Sequence, residues 1–284
     1  MKILRGALVG ALVIIALEIV VGMLFPPKDL PASPGNMLLW GIVSSFIWSA
    51  VVAWLALGSR RHGVPLALTL IVATLLANQV TSLLEAVFFH VLTSAVVMGL
   101  VPTVVVPQAV AAFAIVWAVG AWRVPARPGS PEPIRWSALI ARGILVAAIY
   151  VVCYFVAGAL IFPLVRDFYM ARSLPPGGLV AAVQFFVRGP MFAVAIAMLV
   201  WQMPTSRAQH AVAGALLMSV VGGLTPLLIP NPLFPDAIRY AHMAEVVTSN
   251  IVFGALAGWL LSPRRAILPA PAAPFDVAAK ELRA

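Results

Sequence analysis

Eight runs of about 20 predominantly apolar residues, joined by short polar connectors, leave this chain few ways to fold. Segments of that length and composition cannot be solvated by water. In hydrocarbon, each backbone N–H and C=O must find its partner inside its own segment, so every run should be a helix. The expected spans lie at about 4–25, 37–57, 65–88, 103–122, 138–163, 179–201, 210–229 and 238–261. The connectors carry turn chemistry, as in Pro26-Pro27-Lys28-Asp29, Ser59-Arg60-Arg61-His62-Gly63 and Pro175-Pro176-Gly177-Gly178. The stretch His90–Val101 is apolar but is interrupted by Gly99 and followed by Pro102. It reads as an extension of the third span or as a re-entrant or interfacial piece, so seven and nine spans stand as alternatives to eight.

Composition supports this class. The 284 residues are 63% hydrophobic and 10% charged, with a mean hydropathy of +1.06. Soluble domains are about 45–50% apolar and about 25% charged. The net charge of +9 does not indicate a nucleic-acid binder, because the basic residues sit in connectors rather than forming a face. The single cysteine, Cys153, excludes an internal disulfide and reads as a small buried hydrophobe. The first segment begins like a signal peptide, with Lys2 and Arg5. It is longer than a usual signal core and contains Glu18, so it is expected to be retained.

A weak internal echo organises the spans. Arg5-Gly6-Ala7-Leu8-Val9-Gly10-Ala11, ending at Phe25-Pro26, returns 137 residues later as Arg142-Gly143-Ile144-Leu145-Val146-Ala147-Ala148, ending at Phe162-Pro163. Seven of these 22 positions are identical, and Trp122 meets Trp259 at the same offset. The expectation is an all-α integral membrane protein built as two parallel four-helix repeats, residues 1–122 and 138–262. A linker at 123–137 joins them, and a Pro/Ala-rich tail at 263–284 is expected to be disordered. With the N terminus cytoplasmic, thirteen basic residues, Arg60, Arg61, Arg123 and Arg142 among them, fall inside, against Lys28, Arg166, Arg172 and Arg239 outside. That distribution predicts a bacterial inner-membrane protein with both termini cytoplasmic. Small residues spaced by four (Gly6/Gly10, Gly41/Ser45/Ser49, Gly254/Gly258) predict close helix packing.

Charges inside lipid are costly, so each marks a candidate site. Arg188 lies deep in the sixth span, one turn after Gln184 and just before Gly189-Pro190, whose proline should free the Phe186 carbonyl. Glu18 and Glu245 fall at nearly the same depth, and a pair between Arg188 and one of them is the expected arrangement. Two stripes at helical spacing add Arg239, His242, Glu245 and Ser249 in the eighth span and Thr74, Asn78, Thr81/Ser82 and Glu85 in the third. Gln108 aligns with Glu245 across the repeat, whereas Glu18 aligns with Phe155. The candidate substrate or ion pathway is therefore Arg188, Glu18, Glu245, Gln184, His242, Gln108, Asn78 and Glu85.

No metal or cofactor is expected. His62 and His210 are placed at solvated ends, and His90 and His242 fit no ligand spacing. A phosphate-binding Gly-Lys-Ser/Thr loop, a serine-hydrolase elbow and a paired-glutamate protease motif are all missing from the sequence. No span carries a lysine for a retinal Schiff base. Three functions fit. The first is a transporter-like or flippase-like protein with a polar intramembrane site, whose partners are the bilayer and a small polar or anionic ligand or lipid headgroup. The second is an assembly protein whose buried ion pairs only hold helices together. The third is a membrane-embedded enzyme acting on a lipid-linked substrate.

Overall fold

The computed structural model describes residues 1–25, 36–123, 136–171, 174–230 and 234–263, and all of the regular structure among them is helical. Eight helices are long and apolar enough to cross a membrane: α1 Lys2–Leu24, α2 Met37–Gly58, α3 Gly63–Phe88, α4 Ser94–Ala118, α5 Trp136–Met170, α6 Gly177–Val200, α7 Arg207–Leu228 and α8 Asp236–Leu261. Large apolar side chains such as Leu12, Trp117, Leu160 and Phe186 are exposed on them. Residues 124–135 of the expected linker, residues 264–284 of the tail, and the basic residues Lys28, Arg127, Arg135, Arg172 and Arg264 onward lie outside the described residues, and the last two positions of the linker belong to α5.

The segment 94–101 is neither a re-entrant piece nor an extension of the third span. It forms the first two turns of α4. The chain reverses at His90, which adopts a positive φ of 55°, and Thr93 then caps the new helix by accepting from the Val96 N–H at 3.4 Å. Pro102 and Pro107 are carried inside α4. Helix α5 is 35 residues long rather than the 26 expected, and it continues through Pro163.

Helix α1 packs on α2 and α4, and α4 also packs on α2 and α3. In the second half α5 packs on α6 and α8, and α8 also packs on α6 and α7. The halves meet where α3 lies against α6 and where α2 and α3 lie against α7. One continuous apolar core, including Trp48, Leu70, Ile115, Tyr150, Ile196, Leu217 and Phe253, runs through both. At the face of the bundle that carries Lys2, the α2–α3 and α6–α7 loops are tied together. The Arg60 N–H donates to the Gln202 carbonyl at 2.8 Å, and Gln202 Nε2 donates to Thr69 Oγ1 at 3.0 Å. His210 is buried there rather than solvated, with Nδ1 2.9 Å from Ser262 Oγ and Nε2 3.0 Å from the Met203 carbonyl. His62 is half-buried as well.

Three helices at the junction of the halves are irregular midway along their length. Helix α3 breaks at Asn78, where φ and ψ are −132° and −79°. Helices α6 and α7 widen into π-helical turns over Gln184–Arg188 and Leu217–Leu224. Both wide turns end immediately before an X-Pro pair, Gly189-Pro190 and Thr225-Pro226. A proline ring collides with the carbonyl four residues back, and widening the preceding turn relieves that contact without ending the helix. The Gly189 and Thr225 N–H groups accordingly reach back five residues, to the carbonyls of Gln184 and Val220. Within the α7 turn, the Met218 carbonyl accepts from Asn250 Nδ2 of α8 at 3.0 Å. Asn250→Leu strips that buried carbonyl of its side-chain partner. It is expected to cost about 1–3 kcal/mol, read as a lowered unfolding temperature in detergent.

The Gly6/Gly10 and Gly254/Gly258 pairs both sit at close helix crossings. A Cβ on Gly10 would meet Ser49 Oγ at 2.6 Å, and one on Gly258 would meet the His210 carbonyl oxygen at 2.2 Å. At Gly41, by contrast, a Cβ would have nothing within 4 Å, so this glycine takes no part in packing.

Candidate functional site

Arg188 is placed by the wide turn of α6, and Gly189 beside it brings α6 down onto α5. A Cβ on Gly189 would lie 2.8 Å from the Cα and Cβ of Ala147. This close approach sets the guanidinium against an edge-to-face pair of aromatic rings, 5.5 Å from the Tyr150 ring centre and 5.3 Å from that of Phe192, which are 4.9 Å from each other. Arg188 Nη1 donates to Glu85 Oε1 of α3 and to Gln184 Oε1, the latter at 3.0 Å. The Arg188–Glu85 pair thus crosses the α3–α6 contact between the two halves.

The pairing differs from the expected one. Equal depth suggested Glu18 or Glu245 as the partner of Arg188, but α1 packs on α2 and α4, so Glu18 never reaches α6. Glu18 is exposed on α1 and makes no ion pair among the described residues. Glu245 instead pairs with His242 on its own helix, with Nδ1 3.0 Å from Oε2. His242 Nε2 in turn meets the Tyr169 hydroxyl of α5. The two pairs are neighbours, because Glu85 lies within electrostatic range of Arg188, His242 and Glu245.

The remaining candidates separate. Gln184 is fully buried beside Arg188. Asn78 is buried at the α3 break, where its Oδ1 accepts from Ser82 Oγ at 3.2 Å and its carbonyl accepts from Thr81 Oγ1 at 2.8 Å. Its role is to satisfy the interrupted helix. Gln108 is on α4, half-buried, and its Oε1 has no hydrogen-bond partner among the described residues. Arg239 leaves the eighth-span stripe. It is buried, pairs with Asp236 at 2.8 Å and donates to the Leu227 and Leu228 carbonyls at 2.8 and 3.1 Å, closing the last turn of α7.

Tyr150, Phe192 and Tyr169 complete the cluster and could not be chosen from sequence. Apolar helices carry many aromatics, and only the Gly189–Ala147 contact shows which of them frame the arginine. Two donors in the cluster have no acceptor among the described residues: Arg188 Nε and Gln184 Nε2, both buried. The orientation of the Gln184 amide follows from its oxygen accepting from Arg188, so the nitrogen is the free end. Among the described residues, no group of three or more His, Cys, Asp or Glu could hold a metal ion.

Fold and site together define the class: among the described residues, an all-helical protein with eight helices long and apolar enough to cross a membrane and a charged cluster where its two groups of helices meet. No protein-family model, curated protein or solved structure matches the chain.

Proposed function

We propose that this is a transporter-like membrane protein, permease- or flippase-like, of a bacterial inner membrane, with both termini cytoplasmic. Its moving parts are two parallel four-helix repeats, and its site lies between them. Supporting the repeat, α1, α2, α3 and α4 pack among themselves in the same pairs as α5, α6, α7 and α8, and the junction pairs α3 with α6 and α2 with α7 reciprocally. The echoed Arg-Gly pairs also occupy equivalent places. Arg142 donates to the Ser262 carbonyl at the end of α8 at 3.1 Å. Arg5 Nη2 reaches to 4.0 Å from the Cβ position of Gly120, at the end of α4. A cation at a helix C terminus is stabilising, so the repeated motif reads as the cap each half places on its own last helix. Arg142→Ala is expected to cost about 0.5–1 kcal/mol, read as a small fall in unfolding temperature.

The observation that carries the transport reading is the pair of unpartnered buried donors, Arg188 Nε and Gln184 Nε2, beside an ion pair that bridges the halves. Unpaired buried donors are rare because each costs about 1–3 kcal/mol. An acceptor oxygen, from an anionic solute or a phosphate or carboxylate headgroup, satisfies both. It also competes with Glu85 for the guanidinium. Binding would then loosen the one charged contact between α3 and α6, which is a direct coupling of occupancy to opening.

The test is reconstitution of the purified protein in liposomes, with uptake of small organic anions and flipping of labelled phospholipids measured in parallel. Transport in one of the two assays, lost in Arg188→Ala and Gln184→Leu, is the expected result. If no solute or lipid moves and Arg188→Ala only lowers thermal stability, the reading fails and the cluster is structural.

A further inference from the structure

Between α5 and α8, on the surface that faces lipid in this reading, runs a groove of about 260 Å³. Its walls are Cys153, Val156, Ala157, Leu160 and Ile161 from α5, and Thr248, Ser249 and Val252 from α8. The two hydroxyls do not make it polar. Thr248 donates to the Ala244 carbonyl at 2.6 Å and Ser249 to the Val246 carbonyl at 3.3 Å, so both are turned onto their own helix. The one charged group in the lining is Glu245. Its Oε2 is taken by His242, whereas Oε1 has no hydrogen-bond partner among the described residues. Gly158 lies beside that oxygen: a Cβ there would stand 3.5 Å from Oε1, so a larger side chain would crowd it.

We propose that this groove is a binding site for one chain of a lipid with a primary ammonium head, with the chain along the apolar walls and the ammonium on Glu245 Oε1. The chemistry of the head follows from the one charged group in the lining. His242 occupies Glu245 Oε2 through Nδ1 and meets the Tyr169 hydroxyl through Nε2, which leaves Oε1 as the open acceptor of the carboxylate. A carboxylate oxygen beside apolar walls is best satisfied by a cation that can also donate a hydrogen bond to it. A soluble cation would not use the apolar walls, whereas an aminolipid uses both parts of the site. The site rests on the transporter reading only for its purpose, as the loading position of a lipid substrate. The binding itself is independent of transport.

The test uses the intact protein with defined lipids. Native mass spectrometry of the detergent-solubilised protein, with phosphatidylethanolamine and phosphatidylglycerol added in equal amounts, reads which lipid is retained. A charge-assisted contact of the usual strength predicts about tenfold preference for phosphatidylethanolamine. Glu245→Gln is expected to abolish the preference while leaving some retention of both lipids. Gly158→Leu is expected to reduce retention of both. The chain's only thiol, Cys153, gives a second reading in nanodiscs that needs no variant. N-Ethylmaleimide should modify it more slowly in phosphatidylethanolamine than in phosphatidylglycerol, and added ethylamine should not reproduce the slowing. Equal retention of the two lipids by the wild type, or a preference that survives Glu245→Gln, overturns the proposal. Protection by free ethylamine assigns the carboxylate to soluble cations and overturns it as well. Preferential retention with neither lipid flipping nor uptake of small organic anions leaves the binding site standing and removes the transporter reading.

Discussion

Gly254→Leu should prevent the second half of the protein from assembling. A side chain at this position would begin 2.3 Å from the Gly214 carbonyl oxygen and 2.7 Å from its carbon. Reciprocally, a Cβ on Gly214 would lie 2.2 Å from the Gly254 carbonyl oxygen. All of these obstructing atoms are backbone, so no rotamer change clears the way, and α7 and α8 must separate along their whole contact. That contact also carries the Asn250–Met218 hydrogen bond and the close approach of Gly258 to His210. The expected loss is at least about 3 kcal/mol, seen as aggregation on size-exclusion chromatography or a collapse of the unfolding temperature. Gly41→Leu is the matched control. Nothing lies within 4 Å of a Cβ there, and the change should be within about 0.5 kcal/mol. A Gly254→Leu protein as stable as the Gly41→Leu protein would contradict the packing of α7 against α8.

The second large effect concerns the bridge between the halves. Arg188→Met leaves Glu85 without its countercharge in an interior that is 28% accessible at the carboxylate, and is expected to cost about 3 kcal/mol. Adding Glu85→Gln removes the stranded charge, so the double variant should regain most of that stability. Transport should not return, because the double variant has no guanidinium for an anionic group to compete for. This separates the two readings of the cluster. A purely structural pair predicts that stability and function recover together in the double variant. A site predicts that stability recovers alone. The two measurements are the unfolding temperature in detergent and flux in liposomes, made on the same preparations.

Much of the site was visible in the chain, but its wiring was not. Arg188, Gln184, Glu85, His242 and Glu245 stand out because charged and amide side chains are expensive in apolar segments, and all five lie in the cluster or beside it. Depth along a helix can be counted from sequence, which is why Glu18 and Glu245 were reasonable partners for Arg188. Contact needs the angular position of each helix and the identity of its neighbours. Those placed Glu85 opposite Arg188 and left Glu18 on an exposed face. Arg239 shows the same limit, since its spacing matches His242 and Glu245 while its contacts belong to the end of α7.

The sequence by itself determined that the chain is a set of eight apolar helices, where most of them start and stop, and where its costly polar groups lie. These are local consequences of run length, of proline and glycine at the connectors, and of the penalty for unpaired backbone in an apolar medium. The wide turns of α6 and α7 precede Gly189-Pro190 and Thr225-Pro226, but Pro102, Pro107 and Pro163 are carried in regular α-helix, so an internal proline alone does not dictate a wide turn. Only the tertiary structure decided which helices touch. Apolar faces are nearly interchangeable in composition, so neighbours are selected by shape: by the absence of a side chain at Gly189, Gly214 and Gly254, and by the few polar atoms that must find partners across a contact. That selection is what set Arg188 against the Tyr150–Phe192 pair, gave it Glu85, and placed Glu245 in the lining of an apolar groove.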